Sequence, residues 1–148
     1  MELPETINTV LKHKGSQIHS IGPDATVFSA IAAMAEKQVG ALLVTVGGKL
    51  IGIISEGDYA RKVILLGRSS RDTIVADIMS APVVFVSPQH TIADCMKIMT
   101  ENRIRHLPVL AGDNIVGVIS IGDLVNWIIS AQQETIRHLE AYITGTPR

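Results

Sequence analysis

Aromatic residues are nearly missing from this sequence: two Phe, two Tyr and one Trp make up 3% of 148 residues. Any core must therefore be built from Ile, Val, Leu, Met and Ala. The single cysteine, Cys95, excludes an intrachain disulfide. No apolar run reaches the roughly 18 residues of a membrane-spanning helix. Residues 1–14 lack the basic start and apolar stretch of a secretory signal, so a soluble protein of the reducing cytoplasm is expected. Neither sign of charge is in excess: 13 Lys and Arg against 14 Asp and Glu leave a net charge of −1. That balance provides no broad attraction to nucleic acid or an anionic membrane, and neither is expected as a partner. Two short basic spots, at Lys12-His13-Lys14 and from Arg68 to Arg71, read as solvated loops.

Further absences narrow the chemistry. The five histidines show no spacing of four on a helix and no cysteine partner, so no metal site is expected. Gly47-Gly48-Lys49 runs into Leu50-Ile51, not into the Ser or Thr that opens the helix of a phosphate loop. No Ser/His/Asp set or carboxylate pair stands out, and no catalytic residue is assigned.

What is plentiful is aliphatic, within a 47% hydrophobic composition, and it is arranged as a repeat. Sliding the chain over itself by 65 positions (88 − 23) brings Pro23 onto Pro88 and Thr26 onto Thr91. Without a gap it also superposes Met34/Met99, Glu36/Glu101, Val44/Val109, Gly47/Gly112, Gly52/Gly117, Ile54/Ile119, Ser55/Ser120, Gly57/Gly122 and Asp58/Asp123. These eleven identities all fall within residues 18–58, and the chain reads as a duplication.

Each copy has one pattern. A short strand, 18–21 or 83–86, is closed by Gly22-Pro23 or Ser87-Pro88. A helix follows, capped by Thr26 or Thr91, with Asp94 completing an acidic capping box in the second copy. Val27, Ala30, Ile31 and Met34, matched by Ile92, Cys95, Met96 and Met99, put one apolar stripe on each helix. Cys95 therefore reads as a small core residue, not a redox switch. Two Val/Ile/Leu-rich strands come next, 41–46 with 50–55 and 107–110 with 115–120, joined by turns at Gly47-Gly48 and Gly112-Asp113-Asn114. Their continuous apolar character predicts burial on both faces. A second helix begins near Asp58 or Asp123.

The expected fold is α/β (α+β): two tandem β-α-β-β-α repeats packed face to face around a pseudo-two-fold, with an extra C-terminal helix. The divisions are a tail (1–8), a first repeat (9–66), a polar linker (67–74), a second repeat (75–130) and a C-terminal helix with tail (131–148). Neither half exceeds about 60 residues, which is marginal for folding alone. Ile129, Ile136 and Ile143 fall seven apart, with Leu139 and Tyr142 beside them. That stripe predicts an amphipathic helix packed on a partner subunit; folding back on the chain's own core is the alternative.

Both copies end their third strand alike: Gly52-Ile53-Ile54-Ser55-Glu56-Gly57-Asp58 and Gly117-Val118-Ile119-Ser120-Ile121-Gly122-Asp123. Buried aliphatics here deliver a Ser and an Asp to a strand end where a helix starts. A helix N-terminus favours anions, and a carboxylate there can accept two hydrogen bonds from a ribose diol. The plainer alternative is that Asp58 and Asp123 are helix caps.

This motif, in tandem and with Arg105-His106-Leu107-Pro108-Val109, resembles the cystathionine-β-synthase (CBS) domain pair. The likeness covers the chain from about Thr9 to Ile129. It is closest to the small stand-alone CBS-pair proteins of bacteria and plant organelles, through Gly40-Ala41-Leu42-Leu43-Val44, Asp58-Tyr59-Ala60-Arg61-Lys62 and Ser120-Ile121-Gly122-Asp123-Leu124. The resemblance implies a cleft for an adenine nucleotide (AMP, ADP, ATP or NAD, in some members S-adenosylmethionine) as regulatory ligand, with no cofactor required. Asp58 and Asp123 would hold ribose hydroxyls, and Ser55 and Ser120, with Gly122, the sugar or phosphate. Ile18, His19, Val83 and Val84 would sandwich the adenine. Arg105 and His106 would lie near phosphate, beside a wall shaped by Leu107 and Pro108. Relatives commonly carry Arg where this chain has Gly57, and Arg61, one turn on, is the expected substitute. Arg105 aligns with Gly40, so two sites of unequal strength are expected. The implied role is a non-enzymatic sensor, a homodimer that switches contact with a separate effector protein. A purely structural dimerisation module, and an enzyme using His19 or His106, are the competing readings.

Overall fold

The computed structural model describes residues 5–15 and 17–144; the ends of the expected tails, residues 1–4 and 145–148, lie outside the described residues. The elements in chain order are α1 (Ile7–Lys14), β1 (Ser20–Ile21), α2 (Val27–Lys37), β2 (Ala41–Val46), β3 (Lys49–Ser55), α3 (Glu56–Tyr59), α4 (Ile92–Asn102), β4 (His106–Ala111), β5 (Asn114–Ser120) and α5 (Ile121–Thr144). A π-helical turn, Ala60–Ile64, continues α3, and a 3-10 turn covers Val75–Asp77.

The 65-residue offset carries from residues to elements. It takes the bounds of α2 onto α4, β2 onto β4 and β3 onto β5, and the first residue of α3 onto that of α5. Detail follows as well. Both helices end on a non-glycine residue in the left-handed region, Gln38 (φ 56°) and Arg103 (φ 54°). The next amides, Val39 and Ile104, donate back to the carbonyls of Met34 and Met99 at 3.0 Å each, closing both helices with a Schellman turn. At the other ends, Thr26 Oγ1 accepts from the Ser29 amide, and Thr91 and Asp94 form the expected reciprocal box. Accepting the Thr91 N–H holds the Asp94 carboxyl below its ordinary range.

Two compact units are present: residues 17–87 with 108–118, and residues 5–15 with 88–107 and 119–144. The first contains a three-stranded sheet, order β1-β2-β3, with β1 parallel to β2 and β2 antiparallel to β3. Its core is Val27, Ala30, Met34, Leu42, Val44, Ile54, Val63, Val75 and Ile78. The stretch read as a linker is part of this unit. The carbonyls of Thr73 and Ser70 accept the first two amides of α2, Val27 and Phe28 (2.8 and 2.9 Å), and Thr73 itself is buried. With Thr26 capping Ser29, the opening amides of α2 are all paired. Residues 78–80 then lie along β3: Ile53 and Ser80 exchange two backbone hydrogen bonds (3.1 and 2.8 Å). Gly52 permits this approach, since a Cβ there would stand 2.5 Å from Met79 Sδ and 3.3 Å from the Ser80 carbonyl oxygen.

The strand expected at 83–86 is reduced to one parallel bridge, Val86 to Val109. It is the counterpart of the Ile21–Val44 pairing. In the first copy the ladder gains a bond from the Leu43 amide to the His19 carbonyl (3.1 Å). Proline occupies the matching position, Pro108, and has no N–H to donate. The first strand is likewise shorter than 18–21, spanning Ser20–Ile21.

In the second unit, α1 occupies part of what was expected to be tail and first repeat. It buries Ile7, Val10 and Leu11. The Glu5 carbonyl accepts the first amide of α4, Ile92, at 3.0 Å, and Thr6 bridges Thr91. The segment before α1 thus does for α4 what residues 70–73 do for α2. The closing helix of the second copy and the C-terminal helix are one continuous 24-residue element, α5. Residues 132–140 of α5 are all exposed, so its stripe does not fold back over the described chain. Cys95 is fully buried on α4, and burial pushes its thiol up to about 11, with Asp94 adding to the effect. At pH 8 it should resist iodoacetamide in the native protein and react promptly once unfolded, which mass spectrometry would read; fast native labelling would contradict the packing.

Candidate functional site

The two Ser-x-x-Asp motifs adopt the same backbone geometry with different surroundings. In each, a strand ends on the Ser, a carbonyl from the start of the preceding strand pair accepts the first helical amide, and the Asp side chain folds back on the Ser amide. Gly40 accepts from Glu56 at 3.1 Å in the first copy, and Arg105 accepts from Ile121 at 2.8 Å in the second. The Ser55 amide donates to Asp58 Oδ2 (2.9 Å), and the Ser120 amide to Asp123 Oδ2 (2.8 Å). Ser55 Oγ and Ser120 Oγ return the contact by accepting the Asp58 and Asp123 amides (3.2 and 3.1 Å).

Around Asp58 the carboxylate is enclosed. Its side chain is only 4% exposed, with Lys62 Nζ 3.1 Å and Arg61 Nη2 3.7 Å from Oδ1. Ser80 Oγ donates to Oδ1 at 3.3 Å and Ser55 Oγ to Oδ2 at 3.1 Å. Lys62 also donates to the Ile78 carbonyl (2.9 Å), tying α3 to the segment that runs along β3. Arg61, expected to serve a ligand phosphate, thus points its guanidinium towards Asp58 while remaining 66% exposed. A Cβ on Gly57 would meet the Arg61 guanidinium at 2.8 Å, so the two positions compete for the same space. Ile18 and His19 lead into β1 of this unit, where the His19 carbonyl is taken by Leu43. Val83 and Val84 precede the Val86 bridge, and Pro108 is buried in β4.

Asp123 is more open. Its side chain is 22% exposed, and it pairs with Lys14 of α1, Nζ to Oδ2 at 2.6 Å. Arg105 is exposed beside the first turn of α5, His106 is half-buried, Leu107 is buried, and Gly122 is exposed with Ser120 Oγ the nearest neighbour of its missing Cβ, at 3.6 Å. Asp123 also borders a cavity of about 740 Å³ between α1 and α5, lined by Glu5, Val10, His13, Lys14 and Trp127 among others. Such a volume suits a small-molecule ligand. Of the nucleotide-site residues expected from the sequence, Asp123 alone lines it. The ring of His13 meets Trp127 edge-on at 5.5 Å, and Trp127 Nε1 donates to Glu5 (2.7 Å). Sequence reading missed Glu5, Lys14 and Trp127; the only signal was the basic spot ending at Lys14, three residues past the apolar Leu11. Among the described residues there is no metal-ligating cluster and no helix long and apolar enough to cross a membrane.

A duplicated α/β unit that presents a Ser-x-x-Asp turn at the end of each strand pair defines the class, and comparison with known proteins agrees. The CBS domain family matches twice, over residues 15–64 and 75–130, and the chain belongs to that family. It is 40% identical over 149 residues to the mitochondrial CBS domain-containing protein CBSX3 of Arabidopsis thaliana, covering 95% of this chain and 72% of the relative. It is 31% identical to CBS domain-containing protein YhcV of Bacillus subtilis, covering 74% and 77%. The solved structure of a protein with CBS domains from Burkholderia ambifaria superposes with a TM-score of 0.83 at 47% identity, over 86% of this chain and 96% of that one. CBS pairs are generally regulatory modules that bind adenine nucleotides.

Proposed function

We propose that this chain is a sensor whose Asp123 site binds an adenine nucleotide and whose ligand-bound form changes its contact with a separate protein. The observation that carries the reading is the inequality of the two motifs. Asp58 is enclosed by Ser55, Ser80, Arg61 and Lys62, whereas Asp123 is partly open on a cavity of ligand size. On this reading Asp123 and Ser120 take the ribose hydroxyls, Gly122 keeps the entrance clear, and Arg105 and His106 face phosphate. The set Ile18, His19, Ser55, Asp58 and Arg61 forms the weaker counterpart. A nucleotide can switch the protein only by binding one arrangement more tightly than another.

The exposed stripe of α5, with Ile129, Ile136 and Leu139 about half exposed or more, supports a second copy as the neighbour covering it. The same stripe favours the competing reading of a module that only dimerises. A reducing compartment such as the cytoplasm is the proposed setting; the mitochondrial location belongs to the plant relative's name. A thermal-shift screen separates the two readings. AMP, ADP, ATP, NAD and S-adenosylmethionine are each added at millimolar concentration. At about 100 times Kd a ligand adds roughly 2.7 kcal/mol, so one of the five should raise Tm by several degrees. A flat response to all five, with the dimer intact by light scattering, leaves the dimerising module.

A further inference from the structure

We propose that Lys14 makes the Asp123 site select phosphorylated nucleosides over uncharged or cationic ones, a role that rests on the nucleotide reading above. Three observations place it there. The buried face of α1, Ile7, Val10 and Leu11, anchors the helix, and its last turn delivers Lys14. Lys14 Nζ lies 2.6 Å from Asp123 Oδ2, across 109 residues of sequence. Both side chains line the same cavity and stay partly exposed, 36% for Lys14 and 22% for Asp123.

Asp123 Oδ2 accepts from the Ser120 amide as well, so with Lys14 in place that oxygen already receives two donors. A ribose diol arriving alone must share the carboxylate with an ammonium. A nucleotide brings its own anion. Its phosphate offers the ammonium another charge-assisted partner, and a four-carbon stem lets the compact lysine head swing to it. The ligand and the ion pair then exchange partners: phosphate takes Lys14, and the diol takes Asp123. Adenosine has no anion to offer, and S-adenosylmethionine, a net cation, carries its sulfonium at the position where a nucleotide carries its first phosphate. Of the other carboxylates lining the cavity, Glu5 accepts from Trp127, and Glu134 lies within reach of Arg137 and His138. The first copy has no such device, because the cations on Asp58 come from its own helical turn and the carboxylate is buried beneath them.

Titration calorimetry of the full chain with AMP and ATP against adenosine tests this, in the wild type, Lys14→Gln and Lys14→Arg. The wild type should prefer the nucleotides by about tenfold or more, the worth of one charge-assisted hydrogen bond. Lys14→Gln should lose about tenfold in nucleotide affinity with no loss for adenosine, while Lys14→Arg keeps most of the preference. Equal loss for all three ligands, or an unchanged preference accompanied only by a lower Tm, makes Lys14 a structural tie and overturns the assignment. If the wild type binds none of them, the nucleotide reading fails and the assignment goes with it.

Discussion

Asp123→Ala is expected to weaken adenine-nucleotide binding by about a hundredfold or more while lowering Tm by only a few degrees. Two hydrogen bonds to a carboxylate, each worth roughly 1.5–3 kcal/mol, set the scale of the binding loss. The stability cost is that of a helix cap, about 1 kcal/mol, because what the fold asks of Asp123 is to accept the Ser120 amide and Lys14 at a partly exposed site. For a domain of this length that is about 2–4 °C. Calorimetric titration beside a melting curve reads both quantities. Nucleotide affinity within twofold of the wild type would remove Asp123 from the site.

The same change at the equivalent position should act on stability. Asp58→Ala is expected to lower stability by about 3 kcal/mol, or roughly 6–12 °C in Tm. The ion pairs themselves contribute little of this, since Arg61 is 66% and Lys62 39% exposed and solvent screens them. The cost comes from the donors left behind. The Ser55 amide and the Ser55 and Ser80 hydroxyls all donate to a carboxylate that is 4% exposed, and alanine leaves them without it. Asp58→Asn, which keeps an acceptor oxygen, should recover part of the loss. A Tm within 2 °C of the wild type for Asp58→Ala would show that the enclosure of Asp58 carries no stability.

Much of this was legible in the residues. The gapless offset of 65 predicted matching elements, and the matching extends to the left-handed caps at Gln38 and Arg103. Thr26, Thr91 and Asp94 announced the helix starts, and the place of Cys95 on an apolar stripe announced its burial. What escaped depended on partners distant in sequence. The apolar residues Ile7, Val10 and Leu11 have helical spacing, but eight residues make a marginal helix until something buries that face. The missing rungs at 83–86 follow from Pro108, more than twenty positions away, and were readable only once the strands were paired. A difference between the two motifs was expected from Gly40 against Arg105 and from Gly57, as a matter of binding strength that the fold itself does not test. The difference in their surroundings has other sources: Lys62 and Ser80 on one carboxylate, and Lys14 on the other.

The bond from Ile92 to the Glu5 carbonyl also has a meaning for biosynthesis. Residues 5–15 emerge from the ribosome well before α4 and α5, the helices of the unit they complete. Residues 17–87 include all three strands of the first sheet, and they can begin to assemble while α1 still waits with its apolar face uncovered. Translation order and packing order are therefore opposed at this end of the chain.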